Sequence, residues 1–106
     1  MLWKIDTKRL ISVGNQLDKG GNLTKVGRAL EKHGSRAGSI YPQATGNVVN
    51  KNAFGSKILE SILTDPNATK VTRHHAMFDD ILEVKTPSGM GARFSADGNT
   101  FIGFLE

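Results

Sequence analysis

The sequence contains no cysteine, which excludes disulfide bonds and thiolate metal sites. It has no apolar run close to the roughly 20 residues that a membrane-spanning helix requires. With three histidines and no cysteine, a zinc site is poorly supplied with ligands, so we expect no metal and no cofactor. Of seven aromatic residues only Trp3 and Tyr41 lie outside the runs predicted for the core, which is poor provision for stacking several nucleic-acid bases.

Positive charge is concentrated in the first third of the chain. Residues 1–36 hold eight Lys and Arg against three Asp and Glu, whereas residues 37–106 hold six against seven. A basic segment suggests a phosphate-rich or acidic partner, but a solvated helix face gives the same count. Charge alone leaves both interpretations open.

The last quarter of the chain, residues 79–106, predicts a three-stranded antiparallel meander. Two turn-forming clusters, Pro87-Ser88-Gly89 and Asp97-Gly98-Asn99, separate three short apolar runs. Successive residues of a strand point to opposite faces, so one face is predicted to be apolar and the other polar. The apolar face would carry Leu82, Val84, Ala92 and Phe94, and the polar face Glu83, Lys85, Arg93 and Ser95.

The chain before the meander predicts a cover for its apolar face. Apolar residues recur at helical spacing after Asp6, in a run that reaches Leu17, and again after Asn22, which we expect to cap a second helix ending at Gly34. A third helix is predicted over residues 52–64, after an irregular segment at 35–52.

Residues 70–78 can add a further strand before the meander. Helices followed by strands predict an α+β fold, with N-terminal helices packed on one face of a twisted antiparallel sheet of three to four strands. We expect residues 1–106 to form a single domain, with residues 1–21 as a peripheral helix.

The end of the second predicted helix brings His33 together with cations. His33 lies at the edge of the apolar stripe, which directs it and Arg36 towards the rim of the sheet. Lys32 lies on the opposite side with Lys25 and Arg28, where cations also complement the helix dipole. These groups can hold phosphates, with His33 as a proton-transfer group.

Two further groups of residues belong to the predicted strands. Arg73 precedes two adjacent histidines, which must point to opposite faces, so His75 or its neighbour can line a cleft. Lys85 and Arg93 should lie on adjacent strands near one turn, where like charges repel unless an anion lies between them. That anion can be a bound phosphate or the side chain of Glu83.

Histidine, lysine and arginine without a metal-ligand set are suited to cutting RNA. A base takes the 2′-hydroxyl proton, an acid protonates the leaving oxygen, and a cation stabilises the phosphorane, giving a 2′,3′-cyclic phosphate. DNA lacks that internal nucleophile, so a metal-free site favours RNA as its substrate. The catalytic candidates are His33, His75 and Arg93, and the RNA-binding candidates are Lys32, Arg36, Arg73 and Lys85.

Five segments resemble the C-terminal toxin domains of bacterial polymorphic toxins, which end contact-dependent inhibition, haemagglutinin-like and Rhs proteins. They are Gly-Arg-Ala-Leu-Glu-Lys-His-Gly-Ser-Arg (27–36), Gly-Asn (46–47), Ile-Leu-Thr-Asp-Pro (62–66), Gly-Ala-Arg-Phe (91–94) and Gly-Asn-Thr-Phe-Ile-Gly-Phe-Leu-Glu (98–106). The resemblance covers residues 22–106.

This resemblance implies a ribonuclease of the barnase/EndoU/colicin/RelE-like class that cuts tRNA. It also implies a cognate immunity protein, with the toxin as a monomer or as a heterodimer with it, and delivery of a larger secreted effector to the target-cell cytoplasm. The positions that carry over are His33, Arg36 and Arg93, whereas Met90 stands where a basic residue is expected. The alternatives are a non-catalytic RNA- or protein-binding module and a metal-dependent nuclease.

Overall fold

A computed structural model of the chain describes residues 6–106, so Trp3 lies outside the described part. Three helices precede four strands. The helices are α1 (Thr7–Gly14), α2 (Lys25–Gly34) and α3 (Val48–Thr64), and the strands are β1 (Thr69–His75), β2 (Asp79–Lys85), β3 (Gly91–Ser95) and β4 (Phe101–Leu105). The strands pair antiparallel in the order β1-β2-β3-β4, so the predicted α+β class and the meander are confirmed.

The helices begin at residues whose side chains accept a backbone N–H of the first turn. Asp6 caps α1 as predicted. The prediction of Asn22 as the cap of α2 is wrong, because the Thr24 hydroxyl accepts the N–H of Gly27 instead. Asn47 and Asn50 form a reciprocal capping box, which starts α3 at Val48 and shortens the irregular segment to residues 35–47.

Two predicted helix ends also change. The first helix does not reach Leu17, whose side chain is 64% exposed, but ends at Gly14. Gly34 closes α2 as predicted, yet its φ is not positive. A Cβ at Gly34 would collide with the backbone carbonyl of Pro42, so this glycine permits the loop after α2 to pass close to the helix.

The core lies between the helices and the apolar face of the sheet. Leu82, Val84, Ala92 and Phe94 are buried there, as their alternation predicted. They pack with residues of all three helices and with two aromatic residues of β4: Leu10, Val13, Val26, Leu30, Leu59, Ile62, Leu63, Phe101 and Phe104. None of the helices in the described part of the chain has the length and apolar character of a membrane span.

Tyr41 fastens the loop after α2 to the end of the sheet. It is only 3% exposed, so the prediction that it lies outside the core is wrong. Its hydroxyl accepts the N–H of Gly91 at 2.9 Å and also bonds the carbonyl of Leu105. Burial raises the pKa of Tyr41 to about 12, so the phenol stays neutral. The tyrosine therefore stabilises the junction of β3 and β4 and draws residues 35–47 against it.

Candidate active site

Charged and aromatic side chains gather on the sheet face opposite the helices. We call the group the sheet-face cluster, and its members are Arg73, His75, Phe78, Glu83, Lys85 and Arg93. Strand alternation explains it, because Glu83 and Arg93 each follow a core residue and stand directly opposite one another in the register of β2 and β3. Arg73 and His75 share this face because Val71, two residues before Arg73, pairs with Glu83.

Glu83 is the centre of the sheet-face cluster. Its side chain is 5% exposed, and its carboxylate accepts hydrogen bonds from two arginines. Arg73 donates from Nε to Oε1 and from Nη2 to Oε2, both at 3.1 Å. Arg93 donates from Nε and Nη2 to Oε2, at 2.9 and 2.7 Å. The buried carboxylate therefore fixes both guanidinium groups side by side.

These contacts favour the charged form of Glu83. The hydrogen bonds from Arg73, and then those from Arg93, lower the pKa of Glu83, although burial opposes the shift. Lys85 Nζ lies 4.0 Å from Oε1 of the same carboxylate. The sequence left open whether a bound phosphate or the side chain of Glu83 lies between Lys85 and Arg93. The structure places the Glu83 carboxylate between them.

The sheet-face cluster has more cations than anions and is accessible from solvent. Three cations surround one carboxylate, and the side chains of Arg73 and Lys85 are 46% and 64% exposed. A cleft of about 180 Å³ opens beside them, lined by Thr69, Val71, Arg73, Glu83 and Lys85. The arrangement can accept a phosphate group from solvent while Glu83 holds the arginines in place.

His75 closes the cluster at the end of β1. Its ring lies 4.8 Å from that of Phe78, and the Arg93 guanidinium lies over Phe78 at 5.9 Å from the ring centroid. The backbone N–H of Met77 donates to Nδ1 of His75 at 3.0 Å. A neutral ring in this position carries its proton on Nε2, so His75 presents a hydrogen-bond donor.

His33, Lys32 and Arg36 lie on a different surface. α2 and the edge strand β4 enclose a cleft of about 340 Å³, here named the α2 cleft, which is lined by Asp18, Lys25, Arg28, Ala29, Lys32, His33, Phe101, Ile102 and Gly103. His33 packs against Tyr41 and Phe104. Phe104 pairs with Ala92 on the apolar face of the sheet. Arg93 follows Ala92 in β3 and therefore points to the opposite face.

The surroundings of His33 favour its neutral form. Its side chain is 12% exposed, and Arg36 Nη1 and Glu106 Oε1 lie 3.3 and 3.8 Å from its Nδ1. Burial lowers the pKa of His33, and the charge of Arg36 adds to the shift, while Glu106 opposes it. The ring thus contributes to the junction between α2 and the C-terminal end of β4.

This lowered pKa predicts a pH dependence of stability. Because the unfolded His33 binds a proton more readily than the folded one, the free energy of unfolding should fall as the pH drops below about 6.5. In His33→Gln the fall between pH 7.5 and 5 should be shallower, as measured by urea unfolding. His74→Gln is the control, since His74 is exposed beside Asp80. Equal pH profiles for wild type and His33→Gln would contradict this assignment.

The structure therefore brings together only part of the predicted site. His75, Arg93, Arg73 and Lys85 share the sheet-face cluster, whereas His33, Lys32 and Arg36 belong to the surface around the α2 cleft. From the sequence, Glu83 was considered only as a side chain that neutralises Lys85 and Arg93, and alternation placed it on one face with them. Its contact with Arg73 follows from the register of β1 and β2, which the sequence did not predict. Phe78 had no signal beyond its position at the end of the predicted first strand.

No three His, Asp or Glu side chains within residues 6–106 are grouped closely enough to hold a metal ion. The carboxylate of the sheet-face cluster is occupied by arginine, and its histidine accepts a backbone N–H through Nδ1. The donor set is thus suited to binding an anion.

Comparison with known proteins relates this geometry to a family. The profile of the CdiA C-terminal tRNase toxin domain matches residues 13–106. The chain is also similar to a crystal structure of the toxic C-terminal tip of CdiA from Pseudomonas aeruginosa in complex with immune protein. The two share 27% identity with a TM-score of 0.75, over 88% of this chain and 98% of that chain. Comparison with curated protein sequences gave no match.

Proposed function

The chain belongs to the CdiA C-terminal tRNase toxin domain family, and from this membership we propose that the sheet-face cluster is its tRNA-cleaving centre. Membership makes the chain an antibacterial toxin domain that cleaves tRNA, as its resemblance to polymorphic toxins implied. The alternative of a non-catalytic binding module is set aside, because the family is one of enzymes. The observation that carries the proposal is the fixed pair of arginines around a buried carboxylate on an open sheet face.

The cations of the cluster supply electrostatic stabilisation. The scissile phosphate enters beside Arg73 and Arg93 and takes over part of the hydrogen bonding that Glu83 receives in the free protein. As the 2′-oxygen attacks phosphorus, negative charge grows on the phosphorane oxygens, and guanidinium groups already in position stabilise it without reorganisation. Lys85 adds a further positive charge at the rim of the cleft.

Glu83 and His75 are the acid–base pair of this proposal. When the phosphate takes over arginine contacts from Glu83, the freed carboxylate accepts the 2′-hydroxyl proton. The P–O5′ bond breaks as the cyclic phosphate forms. His75, carrying protons on both ring nitrogens, gives the Nε2 proton to the leaving 5′-oxygen. For this the bond from Met77 N–H to Nδ1 must open when the substrate binds.

The basic residues at the end of α2 and just after it bind tRNA outside this centre. Lys32 and Arg36 are exposed at the end of the helix, on the other side of β4 from the sheet-face cluster. Contacts from such cations to phosphates position a nucleic acid without reading its sequence. His33, which the sequence put forward as a catalytic group, is here assigned to the packing of α2 against Tyr41 and Phe104.

Cleavage without a metal ion is tested directly. Purified protein incubated with total tRNA in excess EDTA should produce discrete fragments, and their 3′ ends should carry a 2′,3′-cyclic phosphate. Treatment with acid, followed by phosphatase, should release that phosphate, whereas phosphatase alone should not. Substrate with a 2′-deoxynucleotide at the cleavage position is the control and should stay intact. Cleavage that requires added Mg²⁺, or cleavage of the deoxy substrate, would contradict the mechanism.

A cognate immunity protein is the partner of this proposal. The similar CdiA tip from Pseudomonas aeruginosa was crystallised in complex with immune protein. Exposed cations on the sheet face suit an acidic protein surface that covers the cluster. The toxin then exists as a monomer or as a heterodimer with this protein, and it reaches its tRNA in the target-cell cytoplasm as part of a larger secreted effector.

A further inference from the structure

Phe78 is an exposed aromatic residue at the edge of the sheet-face cluster. Its side chain lies in the turn between β1 and β2 and is 38% exposed, and the adjacent Met77 is 78% exposed. A partly exposed aromatic ring beside cations that can hold a phosphate offers a surface on which a planar ligand group can stack.

The surroundings of Phe78 give it a defined position. The turn is fixed by Asp79, whose φ of 61° lies in the left-handed region, and by the bond from Met77 N–H to His75. The His75 ring lies 4.8 Å away at an interplanar angle of 32°, so the two rings overlap as a tilted pair. A planar group that meets the exposed part of Phe78 thus finds an aromatic surface that is already ordered.

Arg93 connects this surface to the catalytic centre. Its guanidinium carbon lies 5.9 Å from the Phe78 ring centroid, while its nitrogens donate to Glu83. One nucleotide carries a planar base and a phosphate joined through a single ribose. A base that stacks on Phe78 and a phosphate held by Arg93 use two chemically different neighbouring surfaces, so both can belong to the same nucleotide.

We propose that Phe78, supported by His75, is a stacking site for an unpaired base that flanks the scissile phosphate of the tRNA. This inference rests on the proposed function of the sheet-face cluster. Sequence-tolerant stacking of a base on an aromatic ring is typical of proteins that bind single-stranded RNA. The cleaved bond then lies in a loop or at an end of the tRNA, where a base can leave its neighbours.

A purely structural role makes a different prediction. If the role of Phe78 is purely structural, its ring only supports the Arg93 guanidinium and shields the part of this sheet face where Ile81, between Arg73 and Ser95, is fully buried. In that case Phe78→Ala lowers the cleavage rate by disturbing the protein. The loss in rate is then the same whether or not the substrate carries a base beside the cut.

The test couples a protein change to a substrate change. The cleavage position is first mapped on tRNA with the wild-type protein. Stem-loop substrates are then made with the natural nucleotides or with an abasic residue on either side of the cut. Single-turnover kcat/KM is measured for wild type, Phe78→Ala, Phe78→Trp and the control Met77→Ala. Thermal unfolding of each variant checks that the fold is retained.

With the natural substrate, Phe78→Ala should lower kcat/KM by about 10- to 100-fold, while Phe78→Trp and Met77→Ala stay within about 3-fold of wild type. With one of the two abasic substrates, wild type should fall to the level of Phe78→Ala, and the variant should lose nothing more. An equal loss for Phe78→Ala on all substrates would assign Phe78 the structural role and overturn the stacking site, with the ribonuclease function intact. A wild-type protein that cleaves no RNA would instead overturn the proposed function.

Discussion

Arg93→Ala is expected to lower the rate of tRNA cleavage by roughly 10²- to 10³-fold, the typical loss when one preorganised donor to a developing oxyanion is removed. Two of the nitrogens of Arg93 already point at Glu83, and its side chain is 20% exposed, so little water competes for it. Because the interaction strengthens as charge grows on the phosphorane, the loss should lie in kcat more than in KM.

Arg93→Lys separates charge from geometry. Lysine keeps the positive charge but cannot donate two parallel hydrogen bonds, so its rate should fall between those of wild type and Arg93→Ala. The matched control is Arg36→Ala, which removes an arginine just beyond the end of α2. That variant should mainly raise KM, and less so at high salt, where phosphate contacts are screened. Cleavage by Arg93→Ala within about 3-fold of wild type would contradict the assignment.

The sheet could be predicted because its information is local. Turn residues at 87–89 and 97–99 fix where the chain reverses, and the alternation in β2 and β3 decides which side chains meet the core. The pairing of Glu83 with Arg93 follows from these two facts. Of the six members of the sheet-face cluster, the sequence predicted four as site residues: Arg73, His75, Lys85 and Arg93.

The relation of α2 to the sheet could not be predicted in the same way. Helical spacing places His33 at the edge of an apolar stripe, but it does not state which face of the sheet that stripe covers. The outcome depends on Tyr41, which lies in a segment without periodicity and bonds Gly91 and Leu105, 50 and 64 residues further along the chain. Such a long-range contact leaves no pattern in the sequence around it.

The choice of cap shows the same limit on a smaller scale. Asn22 and Thr24 are both suitable N-cap residues, and local preference ranks Asn at least as high. Thr24 is selected because its N–H donates to the Asn52 side chain on α3, which fixes the start of α2 against a neighbouring helix. The tertiary contact decides between two locally acceptable caps.

Glu83→Gln should impair both stability and cleavage. Glutamine keeps the shape of the side chain but offers one carbonyl oxygen where the carboxylate accepts four N–H groups, and its own amide donors face guanidinium groups. Breaking a buried ion pair costs about 3–5 kcal/mol. Because Arg73 and Arg93 are partly exposed and regain water, we expect a loss of about 2 kcal/mol in the free energy of unfolding.

The matched control for stability is Glu31→Gln. Glu31 pairs with Lys51 at 2.8 Å, but its side chain is 42% exposed, so the change should cost less than about 1 kcal/mol. The pH dependence gives a second measurement. The lowered pKa of Glu83 stabilises the fold at pH values above about 4.5, and this contribution is lost as the pH falls through the lower pKa of the folded state. In Glu83→Gln that acid-dependent loss should be smaller in urea unfolding.

The cleavage rates of two Glu83 variants separate the two roles that Glu83 has in the proposed centre. Glu83→Gln removes the base and disturbs both arginines, so its rate should fall by at least about 10²-fold. Glu83→Asp keeps a carboxylate but shortens the side chain, so it should recover part of the rate if Glu83 accepts the 2′-hydroxyl proton. A rate for Glu83→Asp as low as that of Glu83→Gln, in a folded protein, would contradict the role of base and leave Glu83 as the residue that positions Arg73 and Arg93.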